Sequence, residues 1–103
     1  MKASITGDNL IPTEFYLSQN YPNPFSGKTT IKYSLPSKTR VKLTVYNSKG
    51  EMIKNLVDEI KSAGTYEIEF ELQSAGTSLA ETTFFYHLEA GSYSSLKKMI
   101  LMK

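Results

Sequence analysis

From Glu14 onwards, apolar and polar residues alternate along most of the chain. Ile31, Tyr33 and Leu35 interleave with Thr30, Lys32 and Ser34. Val41, Leu43 and Val45 oppose Lys42, Thr44 and Tyr46. The cleanest run is Tyr66, Ile68, Phe70 and Leu72 against Glu67, Glu69 and Glu71, and Phe84, Tyr86 and Leu88 then oppose Phe85, His87 and Glu89. A period of two predicts β-strands with one face buried. The segment "MIKNLVDEI" is less regular and reads as a strand with a bulge, pairing back across the turn "NSKGE" at Gly50. A second glycine turn is expected at Gly64. The closing "SYSSLKKMILMK" reads as a last strand of ambiguous phase. Its apolar quartet Met99 to Met102 fits burial on both faces or a later partner.

About seven strands of roughly 5–9 residues, with turn signals about every 8–12 residues, predict an all-β, immunoglobulin-like antiparallel sandwich. Residues 1–13 are polar and read as a linker or frayed end, and residues 14–103 as the domain. The sharpest interruption of the pattern is "LSQNYPNPFSGKTTIKYSLP". It carries three of the four prolines. Proline fixes φ, lacks a donor and pushes its predecessor to extended geometry. Asn20, Tyr21, Pro22, Asn23, Pro24 and Phe25 are therefore expected to form a rigid corner or edge, with Tyr21 and Phe25 packing inward.

Composition narrows function mainly by exclusion. A chain of 103 residues with 40% hydrophobic residues suits one small domain. A net charge of +2 is too small to argue for nucleic acid. Without cysteine there is no disulfide framework or thiolate chemistry. No apolar run reaches the ~20 residues of a membrane helix, and "MKASITGDNL" lacks the apolar core of a signal peptide. His87, the lone histidine, has no nucleophile motif beside it. The glutamates 67, 69 and 71 lie roughly 6–7 Å apart along a strand, but an open strand face offers no cleft to split their pKa values. Asp8 and Asp58 form no calcium loop. Tyr46 and Tyr93 could stack on sugar rings or be ordinary strand tyrosines. The residues thus point to a non-catalytic binding domain that needs no cofactor.

The proline stretch resembles the start of the C-terminal sorting domain of the type IX secretion system of Bacteroidetes and their relatives. Three further blocks follow in the family's order. "VKLTVYNSKGEMIKNLV" is similar to its second block and "SAGTYEIEFE" to its third. "FFYHLEAGSYSSLKKMILMK" is similar to the terminal block, which ends in a Lys-Lys-Met pattern. The resemblance implies an address label on a secreted or surface protein. The label would be read by the outer-membrane translocon and, in many relatives, removed by a sortase-like peptidase near the junction with the cargo. On that reading Lys97, Lys98, Met99, Ile100, Leu101, Met102 and Lys103 contact the translocon, by strand addition or groove docking. An exposed last strand would also allow a homodimer. The chain departs from the family at Ser26–Gly27, at Glu81–Thr82 and at Phe84, where a tyrosine is usual. Two alternatives remain: an assembly scaffold resembling the flagellar hook-capping protein, which has a similar "YPNPF" stretch, and a carbohydrate-binding module.

Overall fold

The computed structural model describes residues 11–72 and 82–102. The expectations for residues 1–10, Glu81 and Lys103 lie outside them. Among the described residues all regular structure is β: β1 (Tyr16–Leu17), β2 (Tyr21–Ser26), β3 (Lys28–Leu35), β4 (Thr39–Asn47), β5 (Met52–Lys61), β6 (Gly64–Glu71), β7 (Thr83–Ala90) and β8 (Tyr93–Ile100). Seven are full strands, and β1 is a two-residue opening segment.

Two antiparallel sheets result. In the first, β6 covers one edge of β3 in eight consecutive pairs from Lys28↔Glu71 to Leu35↔Gly64, while β1 and then β2 share the other edge. In the second, the order is β5-β4-β7-β8. The chain crosses between the sheets after β3, β5 and β6, as in an immunoglobulin-like sandwich.

Alternation decides which side chains meet. Ile31, Tyr33, Leu35 and Phe70 point inward from the first sheet; Val41, Leu43, Val45, Phe84, Tyr86 and Leu88 do so from the second, and all are at most 1% exposed. Each fully buried large apolar side chain contributes about 1.5–3 kcal/mol. The glutamates of β6 face solvent opposite the lysines of β3, with Lys28–Glu69 at 3.8 Å and Lys32–Glu67 at 3.7 Å. Such exposed pairs add at most about 1 kcal/mol each.

The irregular stretch after Gly50 is a bulged strand. Pairing runs Leu43↔Val57, then Thr44↔Asn55, then Val45↔Lys54, then Tyr46↔Met52, so Leu56 and Ile53 have no opposite number. The turn before it is closed by Asn47, whose Oδ1 accepts from the backbone of Lys49 and Glu51, both at 2.9 Å. Gly50 takes φ +86° there. Gly64 opens β6 opposite Leu35.

Two sequence readings change. Tyr21 does not pack inward: it is 80% exposed, whereas Phe25 is fully buried, edge-on to Phe70 at 6.3 Å. The ambiguous phase of the last strand resolves, with Met99 and Leu101 turned into the core and Leu96 and Met102 turned out.

Candidate recognition surface: the proline corner and the terminal strand

The corner is built where β2 leaves the first sheet. Tyr21 pairs with Thr30 and Ser26 with Lys28, so Pro22 to Phe25 arch away opposite the single residue Thr29. Pro22 and Pro24 have no N–H to leave unpaired in the arch, and both follow cis peptide bonds. Gly27, at φ +88°, turns the chain back into β3.

A buried polar knot holds the arch. Asn20, 2% exposed, donates from Nδ2 to the Pro22 carbonyl at 3.1 Å and to Thr29 Oγ1 at 3.0 Å. Thr29, 1% exposed, donates its hydroxyl to the same Pro22 carbonyl at 2.8 Å. Gln19 Nε2 reaches Asn20 Oδ1 at 2.7 Å. Each buried polar group in this knot therefore has a partner, as burial requires. Behind it, Tyr86 Oη donates to the Ser18 carbonyl at 2.6 Å, tying β7 to the approach to the corner. Burial pushes the Tyr86 hydroxyl up to about 12. The Tyr33 hydroxyl, also at about 12, is raised by burial first and then by Tyr66 and Glu59.

The arch also clamps the last strand. The Leu101 N–H points towards β7, donating to the Thr82 carbonyl at 2.7 Å. The alternate backbone groups of β8 therefore face the opposite, outer edge. There the Lys98 carbonyl accepts from Gln19 Nε2 at 2.6 Å, the Ile100 N–H donates to Asn23 Oδ1 at 2.8 Å and the Met102 N–H donates to the Phe25 carbonyl at 2.6 Å. Phe25 and Leu101 form a parallel bridge. β2 thus belongs to one sheet at its ends and seals the other sheet at its arch.

This placement sorts the residues expected to meet the translocon. Met99 and Leu101 are core anchors, closed to contact while the domain is folded. Lys97 shares their inward-facing row and is half-buried. Lys98, Ile100 and Met102 face outward. Addition of a receptor strand, or of a second copy, along Lys98 to Met102 meets an edge already in use. Among the described residues, no backbone partner meets the outer edge of β8 nearer Tyr93–Leu96.

Thr29 and Gln19 were missed by sequence reasoning. Thr29 carried a usable signal: it occupies the apolar phase of β3, ahead of Ile31, Tyr33 and Leu35, where a hydroxyl needs a buried partner. Gln19 carried none, because its partner lies 79 positions away.

No curated protein and no solved structure matches the chain significantly. The family model described as the secretion system C-terminal sorting domain matches residues 19–102, a span that opens at the clamp residue Gln19 and closes at the clamped Met102. The chain belongs to the family of secretion system C-terminal sorting domains.

Proposed function

We propose that this domain carries an attached cargo through the type IX translocon, and that it is read through its terminal strand as presented by the proline corner. Domains of this family are sorting signals that mark proteins for the cell surface or medium. The observation that carries the finer reading is the clamp. The first and last signature blocks, far apart in sequence, are joined at Gln19–Lys98, Asn23–Ile100 and Phe25–Met102. The first and last recognisable blocks are thus contiguous.

Within them the roles divide. Asn20, Phe25 and Thr29 hold the arch from inside. Tyr21 and Asn23 stand at its exposed rim, with Pro22 and Pro24 keeping it stiff, so little entropy is lost when a receptor docks. Lys98, Ile100 and Met102 present charge and apolar surface beside it. Lys97 adds positive charge on the same strand, and Lys103 follows Met102 in the sequence. Residues 1–13 are the junction with the cargo, where a sortase-like peptidase cuts.

The test is an export assay in a host with an active type IX system. The chain is fused to the C-terminus of a periplasmically targeted fluorescent protein and compared with a fusion lacking residues 97–103. Export of the full label and periplasmic retention of the truncation are expected. Retention of both, with the full domain folded, contradicts the proposal.

A further inference from the structure

The two outer faces of the sandwich differ in kind. The first sheet shows solvent a lattice of paired charges, Lys28–Glu69 and Lys32–Glu67. The second shows an apolar patch. Register places Tyr46, Phe85 and Lys98 in one outward row and Thr44, His87 and Leu96 in the next. Met52, opposite Tyr46, extends the patch to one side and is 64% exposed. Ile100 and Met102 extend it along the terminal strand. Leu96 is 61% exposed and Met102 55%.

At the centre lies a depression of ≈ 440 Å³ between the Asn47–Gly50 turn and the side chains of Tyr46, Phe85, His87 and Leu96. Thr44 belongs to the outward row yet is only 2% exposed, so the side chains around it cover it from solvent. Large side chains held at this exposure on one face of a small domain mark an interaction surface.

The charges at the rim indicate what fits. Lys49, in the turn, and Lys98, in the row of Phe85, have no carboxylate within ion-pair distance among the described residues. Glu51, on the same turn, is held by Asn47 Nδ2 at 2.7 Å. The clamp closes the neighbouring strand edge, so a receptor reading the terminal strand must read its outward side chains, and those are continuous with this patch.

Resting on the sorting function proposed above, we infer that the outer face of the β5-β4-β7-β8 sheet docks an acidic, apolar segment of a partner protein. One large apolar side chain of the partner fills the depression, and flanking carboxylates meet Lys49 and Lys98. The terminal strand is one border of a wider site that includes Tyr46, Phe85 and Leu96.

The fusion assay separates this inference from the sorting function itself. Leu96→Glu and Lys98→Glu, both at exposed positions, are expected to cut export at least about tenfold, as loss of a central anchor or its charge partner does. Lys32→Glu on the opposite face leaves export unchanged. Full export of Leu96→Glu alongside retention of the truncation overturns the docking face and leaves the sorting function standing. Direct binding supplies a readout that needs no export. The full chain is titrated by NMR with a synthetic peptide of alternating glutamate and phenylalanine. Shifts are expected at Tyr46, Phe85 and Leu96, and are lost with the lysine-for-glutamate peptide. Shifts confined to other surfaces, or shifts at these residues with a neutral oligosaccharide and not the peptide, overturn the inference.

Discussion

Single side chains carry the corner, and their substitutions should separate clearly. Asn20→Ala takes one partner each from Thr29 and the Pro22 carbonyl. It should cost roughly 1–3 kcal/mol in chemical denaturation for the two hydrogen bonds lost from a buried site, while Thr29 and the Pro22 carbonyl keep their bond to each other. Asn23→Ala removes only the acceptor for the Ile100 N–H at an exposed rim. It should cost about 1 kcal/mol or less and show itself as faster hydrogen exchange at Ile100. Tyr86 and Tyr33 govern the alkaline limit. Their folded pKa values, about 12, lie above the usual tyrosine value near 10. Above pH 10 the unfolded chain gives up protons that the folded chain retains, so stability falls as pH rises. The contribution is fully present below pH 10 and is lost between about pH 10 and 12, roughly 2–3 kcal/mol per tyrosine. A denaturation series from pH 8 to 12 should show this decline, and Tyr86→Phe should flatten it while losing the bond to Ser18.

At the scale of elements, the strands were legible because one face of each is buried. Alternation alone assigned the inward rows of β3, β4, β6 and β7, and Gly50 and the irregular spacing after it announced the turn and the bulged β5. The phase of β8 was not legible. Four consecutive apolar residues fit either phase, and the choice is made by the register with β7, which sets Met99 opposite Phe84, and by the clamp, which takes up the even-numbered backbone groups. The orientation of Tyr21 was misread for a related reason. Its neighbour Asn20 takes the buried position, and an amide in the core is not suggested by an apolar-in, polar-out pattern. Ser26–Gly27, a departure from the family, is explained by the arch: the return into β3 needs positive φ. Gly27→Ala has open space for its methyl group. It still places an L-residue at φ +88°, so about 1–2 kcal/mol of destabilisation is expected, read from the thermal midpoint. Phe84, where a tyrosine is usual in the family, is fully buried opposite Met99, and Tyr86 makes the bond to the Ser18 carbonyl.

Across the whole molecule, the fold brings a sequence's first and last motifs into one structure. The sandwich would stand with its last strand paired to β7 alone. The arch adds a second set of partners along the outer edge, and a β-strand edge so covered resists unwanted pairing. The same contacts fix which side chains of the terminal block face outward. The most direct test of corner and tail as one label is export of a Gln19→Ala/Asn23→Ala fusion, at a temperature where circular dichroism shows the domain folded. Export should fall well below that of the unaltered fusion, alongside faster hydrogen exchange at Ile100. Undiminished export from the folded variant, its clamp reduced to the Met102–Phe25 backbone bond, would contradict the claim that the corner presents the terminal strand.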